Sequence, residues 1–268
     1  MSTSTQKPAH GTAEWAPHNL NIQQGCKNDC RYCYAKAMAI RFGRMTSKSW
    51  ATKPKIDQHK VAGRFGKRSG RIMFPTSHDI KPSNIEACLT VLKKVLAAGN
   101  EVLIVTKPVP ECIKRLCAEL GVFKDQVMFR FTIGSANNQV LRAWEPGAPT
   151  FEERLASLKH AFEAGYQTSL SCEPMLDQNI HAVIDAVRPY VTDKVWLGRA
   201  NQLGPIIAVN CPGDRKARAM AEELKALISD DHIRALYARY GTDPLIRWKD
   251  SAKKVLGLDR PTVKGLDV

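Results

Sequence analysis

The chain lacks the long apolar segments of membrane and secreted proteins. Its 268 residues contain no uninterrupted apolar run of about eighteen, the length that a membrane-spanning helix requires. The first seven residues, Met-Ser-Thr-Ser-Thr-Gln-Lys, lack the apolar core of a signal peptide. Five of the eight cysteines are scattered singly, unlike the framework of a disulfide-rich secreted protein. These absences predict a cytoplasmic protein with no membrane segment.

The other three cysteines lie close together, directly after a run that reads as a strand. Cys26, Cys30 and Cys33 have the spacing C-x3-C-x2-C. Three thiolates are one fewer than a closed zinc site or a four-cysteine iron–sulfur cluster uses, so a cluster held here keeps one iron open. One alternative is a zinc site completed by His18 or Cys88, although zinc motifs favour paired C-x2-C units and only one occurs here. Inert buried thiols are another alternative, which the charged residues between the cysteines disfavour.

This motif resembles the signature of the radical S-adenosylmethionine (radical SAM) enzymes, a C-x3-C-x-(aromatic)-C loop. Tyr32 fills the aromatic position and is expected to lie at the cofactor. The resemblance implies that Cys26, Cys30 and Cys33 are metal ligands of a [4Fe–4S] cluster whose fourth iron binds S-adenosylmethionine. It implies further that an electron donor such as flavodoxin or ferredoxin drives cleavage to a 5′-deoxyadenosyl radical, which abstracts hydrogen from a substrate.

The apolar pattern beyond the cysteines alternates between strands and helices. Six strands are predicted to begin near residues 19, 71, 101, 126, 167 and 194, the first covering 19–23. The helices between them are predicted at 34–42, 83–98, 110–120, 150–164 and 178–189. This alternation predicts an α/β fold with a parallel sheet. Six units match the partial (β/α)6 TIM-like barrel of the radical SAM enzymes.

The same pattern divides the chain into three regions. We expect a flexible tail at 1–13, a barrel at 14–205 with a basic loop at 44–71, and a C-terminal helical extension at 206–268. The extension is predicted to carry helices at 215–228 and 230–240 and to pack on the barrel. Its 245–249 stretch also allows a last strand.

Polar residues after the second and third strands are candidate site residues, because chemistry in parallel α/β folds collects at the carboxyl ends of strands. Ser77 and Asp79 take the position at which the family holds the amino group of S-adenosylmethionine, although Gly-Gly-Glu is absent here. The alternative is that Asp79 only caps the next helix. Lys107 is placed to meet a carboxylate or a phosphate, or is an ordinary loop lysine.

The fourth strand contains the charged Arg130, which should be paired if it points inward. Thr132, Ser135 and Asn137 at the end of this strand are predicted to bind the ribose of the cofactor.

A segment further on, Trp144-Glu-Pro-Gly-Ala-Pro-Thr150 followed by Arg154-Leu155, resembles one in the spore photoproduct lyase-like branch of the superfamily. It also has a physical interpretation as a rigid loop in which Thr150 caps a helix. Glu145 can therefore be a structural residue.

The ends of the last two strands supply further candidates. Glu173 is predicted to receive the methionyl amine or a substrate hydroxyl, and Arg199 to anchor a phosphate or the cosubstrate carboxylate. Cys172 and, less favourably placed, Cys211 are candidate hydrogen-atom donors, because thiol S–H bonds are weak. The alternative for Cys172 is simple packing. The stretch 171–175 also resembles phage-associated radical enzymes of unassigned function.

Positive charge is concentrated in one part of the chain. The formal net charge is +14, and residues 41–71 hold ten Lys and Arg against one acid. We predict that five of these residues contact nucleic acid: Lys60, Arg64, Lys67, Arg68 and Arg71. Trp50 and Phe65 between them are suited to base stacking. The alternative is a solvated loop.

These observations predict a monomeric radical SAM enzyme acting on a phosphate-bearing substrate such as a nucleic acid or nucleotide. The competing hypothesis is a zinc-stapled nucleic-acid-binding protein without catalysis. The motif does not identify the substrate or the reaction subclass.

Overall fold

The protein, described here at residues 7–266 by a computed structural model, is built on one parallel sheet flanked by helices. The seven-stranded sheet has the order β1-β4-β5-β6-β7-β8-β9, and its outer strands β1 and β9 are not joined. The strands are β1 His18–Asn19, β4 Ile72–Phe74, β5 Val102–Thr106, β6 Val127–Thr132, β7 Gln167–Cys172, β8 Val195–Leu197 and β9 Ile246–Trp248. Strands β2 Gln23–Gln24 and β3 Lys55–Ile56 form a separate antiparallel pair. The predicted α/β partial barrel is confirmed.

Twelve α-helices connect and cover the strands within this part of the chain. They are α1 Tyr34–Arg41, α2 Ser49–Thr52, α3 Gln58–Ala62, α4 Ile85–Ala97, α5 Pro110–Glu119, α6 Asn138–Trp144, α7 Phe151–Glu163, α8 Ile180–Val187, α9 Leu203–Asn210, α10 Arg215–Leu227, α11 Asp230–Tyr240 and α12 Asp250–Leu256. Short 3-10 helices occur at Gly11–Glu14, Gly121–Gln126 and Arg188–Tyr190. No helix among residues 7–266 is both long and apolar enough to cross a membrane.

One prediction about the strands needs correction, and another is confirmed. The prediction of a single first strand at 19–23 is wrong, because the chain leaves the main sheet after Asn19. The side chain of Asn21 accepts hydrogen bonds from the N–H groups of Thr76 (2.7 Å) and Ser77 (2.8 Å), and the chain then pairs with β3. The last strand that the 245–249 stretch allowed is present as β9, which pairs in parallel with β8 and brings the sheet to seven strands.

The sheet is buried on both faces. Alternate residues such as Ile104, Phe129 and Leu170 pack against the helices, whereas Leu103 and Met128 belong to a separate cluster in the barrel interior. Such two-sided burial is typical of parallel sheets.

Arg130 occupies the barrel interior and is fully buried. Its guanidinium lies 4.7 Å from the ring centroid of Trp15 and 5.2 Å from that of Trp196. It also binds Ser169 Oγ at 2.9 Å and Asp193 at 3.0 Å. Because Asp193 precedes β8, this charged stack closes the amino end of the barrel, opposite the expected site.

The N-terminal segment packs against the C-terminal segment. Residues 1–6 of the predicted flexible tail lie outside the described residues, but residues 7–13 are placed in contact with the C-terminal segment. Ala9 N–H donates to Pro261 O at 2.8 Å, and Gly265 N–H donates to Ala13 O at 2.9 Å. The structure thus packs residues 7–13 against the C-terminal segment.

Candidate active site

The cysteines lie in the loop 25–33, here called the cysteine loop, between β2 and α1. Gly25 has φ +83°, and a Cβ there would lie 2.6 Å from Trp50 O, so the position requires glycine. Cys26 N–H donates to the same carbonyl oxygen at 3.0 Å. Trp50 is only 2% exposed and supports the loop from below. Trp50 is therefore not available to stack bases, and the prediction that it does so is wrong.

The three thiols are unpaired and lie close enough to influence one another's ionisation. Burial raises the pKa of Cys26 to about 12, and the negative charge of Asp79 adds to the effect. Burial also raises the pKa of Cys30 and of Cys33, and again Asp79 contributes. Metal binding must therefore supply the free energy that deprotonates these thiols.

The donor set fits a cluster with one open iron better than a closed zinc site. His18 instead contacts Ser69 O at 3.0 Å, and Cys88 lies in α4 with its Sγ 3.7 Å from Asn84 Oδ1. Neither supplies a fourth ligand to the loop. Across residues 7–266 no group of three or more Cys, His, Asp or Glu side chains is arranged as a metal site. The loop thiols must accordingly turn toward a common centre to hold iron.

Asp79 joins the cysteine loop to the carboxyl ends of β4 and β5. Its carboxylate accepts hydrogen bonds from Asn28 Nδ2 (2.8 Å), Thr106 Oγ1 (2.8 Å) and Lys107 N–H (2.6 Å), and lies 3.7 Å from Cys26 Sγ. Burial alone would raise the pKa of Asp79, but Lys107 and these hydrogen bonds outweigh burial and hold it below the usual value. The N-cap residue of α4 is Asn84, so Asp79 is not the helix cap.

A second buried charged group lies beside Cys30. Glu145 and Arg154 are 0% exposed and form an ion pair of 2.5 Å. Tyr32 OH donates to Glu145, and Lys107 Nζ lies 3.9 Å from Glu145 Oε1. Burial raises the pKa of Cys30, and the positive charge of Lys107 opposes that rise. The lysine thus faces the cysteine loop.

Two of the three residues predicted to bind ribose form structural hydrogen bonds. Ser135 Oγ donates to Asp177, and Asn137 is the N-cap of α6 and accepts from Gln139 N–H at 2.8 Å. The backbone carbonyl oxygen of Thr132 accepts from Arg154 Nη1 at 3.1 Å, and its side chain lies on the same face of β6 as Arg130. Thr132 therefore remains a candidate for ribose binding.

Glu173 continues the inward-facing row of β7 and remains a site candidate. It lies 3.4 Å from Lys249 Nζ, which also binds Glu14 at 2.9 Å and lies 3.7 Å from the ring centroid of Trp15. Burial raises the pKa of Glu173, and Lys249 opposes the rise.

The two cysteines proposed as hydrogen donors differ in their placement. Cys172 is 0% exposed and packs with the helix-facing residues of β7, so it cannot reach a substrate in the barrel. Burial also raises its pKa. Cys211 follows α9 and lies 3.8 Å from Arg31 Nη1 of the cysteine loop.

Arg199 lines a cavity of about 410 Å³ at the carboxyl end of β8. Its guanidinium forms an ion pair with Asp230 at 2.5 Å. An anion bound by Arg199 would therefore compete with Asp230.

The basic loop does not form one surface at the site. Lys60 binds Asn21 O at 3.1 Å, near the cysteine loop, whereas Arg68 N–H donates to Asn100 Oδ1 at 2.8 Å, just before β5. Arg71 directly precedes β4, and its guanidinium lies 4.0 Å from Met128 Sδ. Arg68 and Arg71 therefore lie at the amino edge of the sheet, opposite the cysteines. Exposed Arg64 and Lys67 lie between these two ends.

Comparison with known proteins supplies the family. The model of the radical SAM superfamily matches residues 20–189. The chain belongs to the radical SAM superfamily. It is therefore an enzyme whose cofactors are a [4Fe–4S] cluster and S-adenosylmethionine. Once bound, these supply reductive cleavage of the sulfonium to a 5′-deoxyadenosyl radical.

Two solved structures and one viral protein are similar to the chain. A point mutant of spore photoproduct lyase with a dinucleoside spore photoproduct has a TM-score of 0.54 at 14% identity, covering 91% of this chain and 79% of that one. SuiB of Streptococcus suis with precursor peptide SuiA has a TM-score of 0.50 at 10% identity, covering 87% and 49%. These likenesses show the fold.

The viral protein, uncharacterized protein ORF301 of Acidianus two-tailed virus, is 28% identical over 176 residues. The match covers 62% of this chain and 57% of the viral protein.

Sequence reasoning missed several residues around the cysteine loop. Asn28 is 0% exposed and holds Asp79, and Asn210 Nδ2 donates to the carbonyl oxygens of Arg31 (2.8 Å) and Cys33 (2.9 Å). The position of Asn28 between two cysteines was a usable signal. No comparable signal in the sequence marked Asn210.

Proposed function

We propose that the enzyme acts on a phosphate-bearing substrate, a nucleic acid or a nucleotide. The observation that carries the proposal is an exposed aromatic and basic surface on the helix that begins directly after Cys33. This α1 surface consists of Tyr34, Met38, Arg41, Phe42 and Arg44.

The apolar members of the α1 surface lie along one side of the helix. Tyr34, Met38 and Phe42 are four residues apart and are 49%, 41% and 67% exposed. The Arg44 guanidinium lies 5.6 Å from the Phe42 ring centroid. Tyr34 OH donates to Thr76 O at 2.6 Å, which ties the start of the surface to the carboxyl edge of the sheet.

The charge around this helix is of one sign. Residues 30–56 contain seven Lys and Arg and no Asp or Glu. Five of these cations are exposed: Arg41, Arg44, Lys48, Lys53 and Lys55. Exposed cations pair with phosphates and exposed aromatic rings stack on bases, so the surface suits a nucleic acid. The segment 30–56 therefore replaces Arg68 and Arg71 as the candidate contact with nucleic acid.

We infer the roles of the site residues as follows. Cys26, Cys30 and Cys33 bind the cluster, and Ser77 and Asp79 hold the amino group of S-adenosylmethionine. The ionised state of Asp79 beside Cys26 supports its part in this assignment.

Three further roles belong to the same proposal. Lys107 supplies positive charge at the cysteine loop, and Glu173 binds the substrate. A flavodoxin or a ferredoxin reduces the cluster, and the enzyme works as a monomer in the cytoplasm.

Oligonucleotide binding tests the substrate proposal. We would measure fluorescence anisotropy of a labelled single-stranded DNA at several salt concentrations for the wild type, Arg41→Gln/Arg44→Gln and Arg68→Gln/Arg71→Gln. The second double variant is a matched control, since it removes the same charge at the amino edge. Loss of two phosphate contacts should weaken binding and reduce the salt slope by about 1.5 in the first variant only.

The outcomes separate the candidates. Weaker binding in the control alone would move the contact to the amino edge of the sheet. Absence of binding in the wild type would contradict a nucleic-acid substrate and leave a nucleotide, which direct titration with a fluorescently labelled nucleoside triphosphate tests.

A further inference from the structure

The segment 143–149, here called the clamp segment, touches the cysteine loop at nearly every position between the cysteines. Arg31 N–H donates to Trp144 O at 2.9 Å, and Arg31 Nε donates to Ala143 O at 2.8 Å. Gly147 N–H donates to Asn28 O at 3.1 Å. The contact joins residues more than one hundred positions apart, so tertiary folding creates it.

Gly147 sets the distance between the two segments. A Cβ at this position would lie 2.0 Å from Lys27 O and 3.1 Å from Asn28 Cα, both backbone atoms. The φ angle of Gly147 is outside the left-handed region. Glycine is therefore required here by the close approach of two backbones, and any side chain must push the cysteine loop away.

The clamp segment is itself held firmly. Its Glu145 forms the buried ion pair with Arg154, whose Nε donates to Pro149 O at 2.9 Å. The segment is followed by Thr150, which forms a capping box with Glu153 at the start of α7. Lys81 Nζ also donates to Gly147 O at 2.8 Å. The segment thus presents a fixed surface to the loop.

A side-chain contact extends the clamp to the residue next to the last cysteine. Tyr32 OH donates to Glu145, and the Tyr32 ring lies 6.4 Å from the Trp144 ring. The backbone contacts of Gly147 fix the first half of the loop, between Cys26 and Cys30. The contacts of Arg31 and Tyr32 fix the second half, between Cys30 and Cys33.

We propose that the clamp segment is a positioning element that presets the cysteine loop for cluster binding, with Gly147 fixing its height and Glu145 orienting Tyr32. The inference rests on the proposed role of the three cysteines as cluster ligands. Its physical content is pre-organisation: ligands already held in place lose less conformational entropy when they bind iron.

The test compares Gly147→Ala with Gly121→Ala in the cluster-free protein. Gly121 is a matched control because no atom lies within 4 Å of a Cβ built there. We would follow alkylation of each cysteine by iodoacetamide with peptide mass spectrometry. We expect Gly147→Ala to raise the rates of Cys26 and Cys30 by about tenfold through local opening of the loop. The rate of buried Cys172 should stay unchanged.

Cluster readouts complete the experiment. After anaerobic reconstitution, Gly147→Ala should hold less iron per chain, and the midpoint potential of the remaining cluster should shift, with Gly121→Ala like the wild type. Unchanged alkylation and unchanged potential in Gly147→Ala would overturn the proposal.

Gly147→Ala could unfold globally, which would appear as faster alkylation of Cys172. A second variant keeps the proposal testable in that case. Tyr32→Phe then decides, since it removes only one hydroxyl. Faster alkylation of Cys30 and Cys33 in Tyr32→Phe supports the clamp, and wild-type rates overturn it. The two proposals can fail separately. If the wild type binds no iron but Gly147→Ala is still alkylated faster than the wild type, the cluster proposal is contradicted and the clamp proposal stands.

Discussion

His78 should make the stability of the cluster-free protein depend on pH. The ring is 5% exposed, with Nε2 3.3 Å from Ile22 N and Nδ1 3.3 Å from Asp79 O. Assigned from these partners, the neutral tautomer carries its proton on Nδ1 and accepts the Ile22 N–H at Nε2. Burial lowers the pKa of His78 from 6.5 to about 4.

The sign of the effect follows from proton binding. Between pH 6.5 and pH 4 the unfolded chain binds the proton and the folded protein does not, so stability present above pH 6.5 is lost as the pH falls. At about 1.36 kcal/mol per pH unit, the loss between pH 7 and pH 5 is about 2 kcal/mol.

Urea unfolding followed by circular dichroism at pH 7, 6 and 5 measures this loss. The comparison variant is His78→Gln, whose neutral amide can also accept from Ile22. The difference in free energy of unfolding between wild type and His78→Gln should shrink by about 2 kcal/mol from pH 7 to pH 5. Parallel pH profiles of the two proteins would refute the reasoning.

Three further predictions concern other buried groups. Arg154→Met should lower the free energy of unfolding in urea by about 3 kcal/mol, because it removes the ion-pair partner of the buried Glu145 carboxylate and leaves it with the Tyr32 hydroxyl and the more distant Lys107; a loss below about 1 kcal/mol would contradict this. Cys172→Ser should leave the yield of the substrate-derived product at the wild-type level, since its thiol faces the helices; loss of that product with the fold intact and 5′-deoxyadenosine still formed would restore Cys172 as a hydrogen donor. Gly25→Ala should reduce iron bound per chain, because its Cβ would strike Trp50 O. Wild-type iron content in that variant would show that the loop tolerates the shift.

The sequence was sufficient to predict the cysteine loop and the strand–helix alternation. Both signals are local: the motif spans eight residues, and helices such as α4 and α7 have regular apolar spacing. The seven-residue α6 was missed because only Leu141 and Trp144 are buried in it. α9 was missed because it is almost entirely apolar and contains Gly-Pro, so it has no helical periodicity.

The remaining features depend on contacts that sequence spacing does not encode. The alternation in β7 places Cys172 on the same face as Leu170. Because both faces of this strand are buried, the pattern does not say which face lines the barrel interior. Arg68 and Arg71 looked adjacent to the site in sequence, but the chain descends beside α4 before it enters β4. The contact with α4 is made by Lys94, whose Nζ donates to the carbonyl oxygens of Val61 and Ala62.

Cleavage of S-adenosylmethionine is the most direct test of the central claim, that Cys26, Cys30 and Cys33 support radical chemistry. The protein would be reconstituted anaerobically with iron and sulfide, reduced with dithionite and supplied with S-adenosylmethionine, and 5′-deoxyadenosine measured. The account predicts product from the wild type and background levels from Cys30→Ala. Zinc bound in place of iron, or a fully loaded cluster that yields no more product than Cys30→Ala, would contradict it.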